Sequence, residues 1–503
     1  MKFIKKCIKY ILKKCKSIIT KQKITQGCFN VCDIFFNQFN TFGKFNRFDI
    51  IVRYIAIENY YGINKTGFEL YEKMQNKRIG DGEARTSQFK ELINSYENGY
   101  NDTSKISLNT TLKLLDGSHR LALHIYNGIN NINGICKHFD THEPEYSLDW
   151  FYANGFTLSE IKSIQDKYYE ICKKLNIGLT CTIWPPVADF YTDITNEMSY
   201  YGEITDINIM FFSNDYEFES VVKGIYHSDD IAGWKIQKKL DYMKDYNKTI
   251  LIMKLRTDNP FFRIKSSTGL PLSRYVERVK YVFRERYKNS IPNYFHDVII
   301  HIADNYAQSA YIDKLLKINI DVSEFFKSIA DMEYVLSKIE TPYMPNEFPC
   351  KAPLNKDIDI LCSKDSFEKI AEVALNFVNS FDSETKVIKK VFSDQILIRI
   401  ELVSFLIYQF DISKALLGFN DIFIEFCIKT RKQYKKCFIT NENCEYLIRL
   451  FEYRQHPKKT HHFLYLQKYK NKFDMNLFSM YMLNPNSYKV LLETLDIKYN
   501  KYA

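Results

Sequence analysis

The sequence predicts a multidomain protein of mixed α/β and α+β class, on three observations. First, 503 residues are too many for one ordinary core, and 46% of them are hydrophobic, enough for several packed interiors. Second, from about residue 180 strand-like runs such as ITDINIMFF and TILIMKL alternate with amphipathic helical segments. Third, a polar stretch near residue 145 and the Pro-containing loop TPYMPNEFPCKAP separate this region from its neighbours. We expect an N-terminal domain over residues 45–145, a central α/β domain over 155–320, and a C-terminal domain with a helical tail over 325–503.

Residues 1–23 are predicted to form a basic amphipathic helix. They contain nine lysines and no acidic residue, and so carry nearly all of the formal net charge of +10. Apolar residues recur at helical spacing, which is typical of a helix on an anionic membrane surface; an ordinary solvated helix is the alternative. The apolar run is too short to span a bilayer or to act as a secretion signal. We expect a cytoplasmic protein, peripheral on the inner face of the membrane. Because the rest of the chain is nearly neutral, nucleic acid is not expected as a partner.

The N-terminal domain is predicted to contain three helices, two strands and a fourth helix. FDIIVRYIAIENYYG, GFELYEKMQNKR and SQFKELINSY have helical periodicity, and Ser87 is a suitable N-cap for the third. ISL and LKLL predict strands on either side of a turn at Asn109, and LDGSHRL then marks a strand-to-helix corner. There Gly117 would let the backbone approach a ligand, and the free N–H groups of a helix start attract anions. His119 and Arg120 can add charge-assisted hydrogen bonds to phosphate oxygens; a plain turn with a helix cap is the alternative.

This order of elements, together with the D-G-x-H-R segment, resembles the ParB/sulfiredoxin superfamily over residues 79–140, and its free-serine-kinase type most closely. Ser118 stands where sulfiredoxins have a cysteine, and the Arg-rich box of the DNA-segregation proteins is missing. The resemblance implies that the phosphates of ATP, ADP or CTP are bound by Arg85, Gly117, Ser118, His119 and Arg120. It also implies a catalytic role for Glu83, as base for the accepting hydroxyl, and for His119 and Arg120, with Asp116 orienting one of them or capping the helix.

His301, Asp304 and Asn305 form a candidate site in the central domain. They stand in and just after the strand DVIIHIA, and polar residues beyond the carboxyl end of a strand in an α/β sheet often bind ligands. A turn beside a solvated helix is the alternative.

The C-terminal domain is predicted to contain the helical stretch VSEFFKSIADMEYVLSKI, the strand DIDILC, a helix, and the strands KVIKKVF, QILIRIEL and FLIYQFDIS. Asp357 and Asp359 alternate on one strand and therefore share a face, and Asp411 on a neighbouring strand can join them. Three carboxylates can hold Mg²⁺, which positions the phosphates of a nucleotide. This triad resembles that of the nucleotidyltransferase fold over residues 340–415, but NEFPCKAPLNK stands where that family has Gly-Ser or Gly-Gly.

Together these features predict a nucleotide-dependent phosphotransferase, either a kinase or an enzyme of nucleotidyl transfer. The acceptor would be a hydroxyl-bearing small molecule or glycan, as in the biosynthesis of a surface polysaccharide or lipid-linked sugar. Two alternatives remain: a ParB-like DNA-binding or nuclease protein, and a non-catalytic scaffold that senses nucleotides. The sequence leaves the acceptor, the nucleotide and the oligomeric state open.

Overall fold

The computed structural model describes residues 25–39, 46–99, 104–137, 145–229, 231–294, 297–381, 385–474 and 482–483. The predicted basic helix over residues 1–23 lies outside the described residues. Among the described residues, no helix combines the length and apolar character that crossing a membrane requires.

The protein is a mixed α/β structure with several sheets. Its helices, in chain order, are α1 Val31–Phe36, α2 Phe48–Tyr60, α3 Gly67–Ile79, α4 Gly82–Glu97, α5 Ser118–Tyr126, α6 Leu148–Ala153, α7 Leu158–Leu175, α8 Tyr191–Met198, α9 Asp215–His227, α10 Gly233–Met243, α11 Arg274–Tyr287, α12 Tyr306–Lys317, α13 Ser323–Ser328, α14 Lys364–Asn379, α15 Asp421–Lys429, α16 Glu442–Gln455 and α17 Thr460–Tyr469.

The strands are three to nine residues long, within the usual range for globular proteins. In chain order they are β1 Thr25–Asn30, β2 Ile106–Asn109, β3 Leu114–Asp116, β4 Asn131–Lys137, β5 Leu179–Ile183, β6 Glu203–Phe211, β7 Thr249–Arg256, β8 Phe262–Ile264, β9 Pro271–Ser273, β10 Ile300–Ile302, β11 Tyr334–Ser337, β12 Lys356–Cys362, β13 Lys386–Val391, β14 Gln395–Leu402, β15 Phe405–Ser413, β16 Lys432–Tyr434 and β17 Cys437–Ile439.

The chain divides into two compact units. The first unit spans residues 1–210 and 249–310, and the second spans 211–248 and 311–503. The segment 211–248, expected in the central domain, thus belongs to the same unit as the C-terminal region. The strand β1 joins the sheet of the predicted N-terminal domain although it precedes the expected start at residue 45.

The first unit contains two four-stranded sheets. In the sheet β1-β4-β2-β3, β4 runs antiparallel to β1 and parallel to β2, and β2 pairs antiparallel with β3. In the sheet β10-β5-β7-β6, β5 is antiparallel to both of its neighbours. The helix α2 is buried along most of its length, because apolar residues lie on nearly every side of it. The helix α7 begins with a capping box, in which the side chains of Thr157 and Glu160 each accept a hydrogen bond from the backbone N–H of the other residue.

The second unit is built on a seven-stranded sheet of order β13-β14-β15-β12-β11-β17-β16. The central strands β12 and β15 are parallel, and β11 is antiparallel to β12. On one face, Phe410 of β15 packs against Phe325 of α13 and Phe377 of α14, with ring centroids 4.5 and 6.0 Å apart. In a separate apolar cluster, buried residues of α15 and α16 pack together with Val335 of β11 and Leu361 of β12. The sheet therefore has apolar support around its central strands.

Two predicted boundaries are wrong. The stretch VSEFFKSIADMEYVLSKI is not one helix, since α13 ends at Ser328 and YVLS forms the strand β11. The helix α4 begins at Gly82 rather than after Ser87, so Ser87 lies inside the helix and does not cap it.

Candidate functional site

The strand β12 presents two aspartates to one face of the sheet of the second unit. Ile358 and Ile360 are 1% exposed and point into the core, whereas Asp357 and Asp359 alternate with them. This arrangement follows from the period of two in a strand, because the apolar residues fix which face is buried.

Asp411 joins this pair from the neighbouring parallel strand. The register of β12 and β15 places Asp359 directly opposite Asp411. One carboxylate oxygen from each of the three aspartates lies within 4.8 Å of the others. Opposite oxygen ligands of an octahedral Mg²⁺ are about 4.2 Å apart, so the predicted triad has nearly the dimensions of one metal coordination sphere.

Lys338 also reaches the triad, from the turn that follows β11. Its Nζ lies 2.8 Å from Oδ1 of Asp359 and 3.3 Å from Oε1 of Glu452. Its backbone has a φ of +61°, a left-handed conformation that is unusual for residues other than glycine. The sequence interpretation missed this lysine because it placed the residue in a helix.

A buried ion pair on α16 holds the turn at Lys338. The backbone N–H of Lys338 donates to both carboxylate oxygens of Glu445, at 2.9 and 3.1 Å. Nε of Arg449 donates to Glu445 at 2.6 Å, and Arg449 also donates to the backbone oxygen of Glu340. Glu445, Arg449 and Glu452 recur four and three residues apart, so one face of α16 supports both the backbone and the side chain of Lys338.

The electrostatics of the triad favour an added cation. Burial, together with Asp357 and Asp411, raises the pKa of Asp359 to about 7, although Lys338 opposes the shift. Burial also raises the pKa of Asp411. Burial acts to lower the pKa of Lys338, but Asp359 and Glu452 outweigh it, so its pKa is raised and the ammonium stays charged. Three carboxylates crowded in this way repel one another, and a divalent cation relieves that repulsion.

The triad opens into a cleft of about 400 Å³. Gln395 donates to Oδ1 of Asp411 at 2.7 Å, and the hydroxyl of Ser413 donates to the same oxygen at 3.2 Å. Other polar residues that line the cleft are Ser337, Asp394, Glu452, His456 and Lys459. The cleft thus combines a carboxylate triad with hydroxyl, amide and cationic groups that can contact a phosphate ester.

The segment before β12 departs from the nucleotidyltransferase pattern. Residues 338–355 contain no glycine and form no helix in the structure. Of the residues between β11 and β12, Lys338 lines the cleft, and so does Ser337 at the end of β11. A lysine side chain therefore lies beside the triad, and it comes from the part of the sequence before β12, where the family pattern has a Gly-Ser or Gly-Gly pair.

The strand-to-helix corner in the first unit forms as predicted, from β3 through Gly117 into α5. Gly117 has a φ of +103°, and an added Cβ would lie 2.4 Å from Cγ2 of Ile106. The glycine is thus explained by packing against β2. Ser118 accepts a hydrogen bond from Arg47 at 2.7 Å, and Arg120 lies 3.7 Å from Asp116. Several groups predicted to bind phosphate therefore have partners within the fold.

His119 lies among aromatic rings and arginines. Its Nε2 shares a 2.7 Å hydrogen bond with the hydroxyl of Tyr71, and its ring contacts Phe89. Burial, and then the charges of Arg53 and Arg78, lower the pKa of His119 well below its usual value. The imidazole is therefore neutral at pH 7.

The arginines around His119 outnumber the acidic groups beside them. Arg47 and Arg53 are each 2% exposed and both pair with Asp49, which is fully buried. Burial, Arg78 and Arg47 lower the pKa of Arg53 to about 10, although Asp49 opposes the shift. Among the described residues, Nε of Arg53, Nε of Arg78 and one terminal nitrogen of Arg120 are buried without a hydrogen-bond acceptor. This part of the first unit carries a surplus of buried positive charge.

Glu83 and Arg85 lie in the first turn of α4, and both are exposed. Arg85 contributes to the positive potential at His119 and donates to Gln88 at 3.3 Å. The structure gives no contact that joins Glu83 to His119 among the described residues, so its role as a base stays a prediction.

The three predicted residues of the central domain lie inside the first unit. His301 is 3% exposed in the edge strand β10. Asp304 forms a 2.5 Å ion pair with Lys280, and the side chain of Asn305 donates to the backbone oxygen of Pro271 and accepts from the backbone N–H of Gln308. Asp304 and Asn305 therefore have structural roles around the start of α12.

The segment QHPKKTHH contains three histidines, which the structure places in two different surroundings. His461 and His462 lie in α17, and His462 is 1% exposed. His456 lines the triad cleft. The sequence contains no indication that His456 lines the cleft, because the fold of α16 brings this residue to β12 and β15, which lie more than forty residues earlier in the chain.

No protein-family model matches the chain. Searches of curated proteins and of solved structures likewise find no match.

Proposed function

We propose that the second unit is a divalent-metal-dependent transferase that moves a phosphorus-containing group from a nucleotide to a hydroxyl acceptor. The observation that carries the proposal is the convergence of Asp357, Asp359 and Asp411, from two strands separated in sequence, at a cleft that can admit a ligand. Carboxylate oxygens are the ligands that Mg²⁺ prefers, and a strand-borne triad places them rigidly.

Each residue of the site has a role in this proposal. The three aspartates would hold the ion, which supplies neutralisation of phosphate charge when bound. Gln395 and Ser413 fix one oxygen of Asp411 and leave the other for the ion or for the proton of the acceptor hydroxyl. Lys459, exposed at the rim of the cleft, can contact the outer phosphates of the nucleotide.

The experiment is a Mn²⁺ titration of the full chain by calorimetry and electron paramagnetic resonance. Asp359→Asn is expected to weaken binding at least tenfold because it removes a charged ligand. Asp394→Asn is the matched control, since Asp394 lines the same cleft outside the triad. Equal Mn²⁺ affinity in the wild type and Asp359→Asn would overturn the metal site.

The reaction is tested with nucleoside triphosphates labelled at the α- or γ-phosphate, Mg²⁺, and a panel of serine, glycerol and sugars. Transfer of the α-label indicates nucleotidyl transfer, and transfer of the γ-label indicates a kinase. Whichever label the wild type transfers, the transfer should be lost in Asp359→Asn and retained in Asp394→Asn. Metal binding without transfer to any acceptor would favour the nucleotide-sensing scaffold instead.

A second candidate function belongs to the first unit, and its support is the surplus of buried arginines near His119. We propose that this unit binds a phosphate ester there. Buried guanidinium nitrogens are normally paired, and a phosphate would provide an acceptor for Nε of Arg53, Nε of Arg78 and one terminal nitrogen of Arg120, which have none among the described residues. The neutral His119 would contribute a hydrogen bond rather than a charge.

This second proposal is tested by titrating ATP, ADP, CTP and inorganic phosphate into the wild type and Arg78→Gln. The substitution should weaken binding at least tenfold, whereas Arg278→Gln, which removes an exposed arginine of the same unit, should not. Unchanged affinity in Arg78→Gln contradicts the proposal. Duplex DNA binding that falls steeply with salt would support the DNA-binding alternative.

A further inference from the structure

We infer that the carboxylate triad takes a single divalent ion, and that the ammonium of Lys338 occupies the position of a second cation. The inference rests on the proposed function of the second unit, and it concerns the number of ions that the site admits.

The contacts of Lys338 are those of a fixed cation. Its Nζ lies between Asp359 and Glu452, at 2.8 and 3.3 Å, and its side chain is 16% exposed. Glu445 accepts the backbone N–H of the same residue, and Arg449 holds Glu445 in turn. Because both the backbone and the side-chain end of Lys338 are bonded, the ammonium is held beside the triad and does not sample the solvent freely.

The carboxylate oxygens that remain suit one ion. Two ions in a binuclear site lie about 3.5–4 Å apart and share bridging carboxylates. Oδ1 of Asp359 already pairs with the ammonium of Lys338, and Oδ1 of Asp411 accepts hydrogen bonds from the side chains of Gln395 and Ser413. Within the triad, the second oxygen of each of these two residues and the carboxylate of the exposed Asp357 are left for metal ligation.

The local charge leads to the same conclusion. When Asp357, Asp359, Asp411 and Glu452 are all ionised, as they would be around a bound metal ion, their carboxylates and the ammonium of Lys338 leave a net charge of three negative. One divalent ion reduces the net charge of the site to one negative, whereas two divalent ions would change it to one positive. A second ion near Asp359 would also lie close to the ammonium and be repelled by it.

The closing experiment measures the stoichiometry of Mn²⁺ binding to the full chain, by calorimetry and by electron paramagnetic resonance. The wild type should bind one ion at the triad. Lys338→Met keeps the unbranched stem and the backbone N–H but removes the charge, so it should bind two. Lys459→Met, which removes a charge from the rim of the same cleft, should still bind one.

Lys338→Gln provides a second test if the Met variant does not fold, because its amide can still donate to Asp359 without carrying a charge. Two ions in the wild type, or one ion in both Lys338 variants, would overturn the inference while leaving the proposed function in place. No Mn²⁺ bound to the wild type would overturn both. Tighter binding in the variants with the stoichiometry still at one would show that Lys338 merely competes with the metal, which also contradicts the inference.

Discussion

Asp33, in α1, is a buried carboxyl that gives the first unit a pH-dependent stability. It is fully buried and accepts the backbone N–H of Tyr306 at 2.9 Å. Burial raises its pKa to about 7. Since this value lies above that of the unfolded chain, the folded state retains the proton between about pH 4 and pH 7. The contribution of Asp33 to stability is therefore lost progressively as the pH rises through that range.

We expect Asp33→Asn to remove this loss. The amide of asparagine keeps the hydrogen-bond acceptor for Tyr306 and cannot ionise. The free energy of unfolding of the variant, relative to that of the wild type, should therefore be roughly 2–4 kcal/mol more favourable to the folded state at pH 8 than at pH 4. Urea unfolding of both proteins at the two pH values measures the difference. Asp166→Asn, on the exposed side of α7, is the control and should follow the wild type. Parallel pH profiles for Asp33→Asn and the wild type would contradict the expectation.

Residues that share a strand could be predicted from the sequence, whereas residues that meet across elements could not. Asp357 and Asp359 follow from alternation with isoleucine, and the candidate third aspartate follows from the same pattern in FLIYQFDIS. Lys338, Gln395 and Glu452 come from two other strand ends and a distant helix. No local pattern marks a residue whose importance depends on a contact formed only in the folded chain.

At the scale of elements, the strand β11 shows why a helical pattern can mislead. Phe325, Ile329, Met332 and Val335 recur at three- and four-residue spacing, which favours a helix. In the structure, β11 instead pairs with β12 over four residues and all of its residues are buried. Pairing in the centre of a sheet outweighs the weak local preference, because it satisfies the backbone and buries the side chains together.

The corner between β3 and α5 gives an element-scale prediction. Gly117→Ala should destabilise the protein by roughly 2–4 kcal/mol, because it combines an unfavourable backbone conformation with a collision at Ile106. Gly128→Ala is the matched control: Gly128 also has a positive φ, of +67°, but an added Cβ meets nothing within 4 Å. It should cost only about 1 kcal/mol.

Chemical denaturation of the two glycine variants separates these contributions. Equal losses of stability would mean that backbone strain alone explains Gly117 and that the space around it is open. A ligand would then have room to approach the corner, as the sequence resemblance implies.

At the scale of the whole molecule, metal binding should stabilise the two units unequally. A ligand that binds only the folded state raises its stability by mass action, by about 2.7 kcal/mol at a hundred times the Kd. Because the triad lies wholly in the second unit, Mn²⁺ should shift the unfolding transition of that unit to higher temperature. Scanning calorimetry with and without Mn²⁺ tests this. Asp359→Asn should abolish the shift, and an identical shift in that variant would exclude the triad as its origin.

The path of the chain between the two units has a consequence for synthesis and for dissection of the protein. Residues 211–248 belong with residues 311–503, yet 249–310 return to the first unit. During synthesis, α9 and α10 therefore leave the ribosome well before the sheet that completes their unit. The first unit cannot be complete until residue 310 has been synthesised. If the gene is cut at a single point between residues 211 and 310, each half carries a segment whose unit is completed by the other half. Point substitutions are therefore a better way than truncation to test the two proposed functions separately.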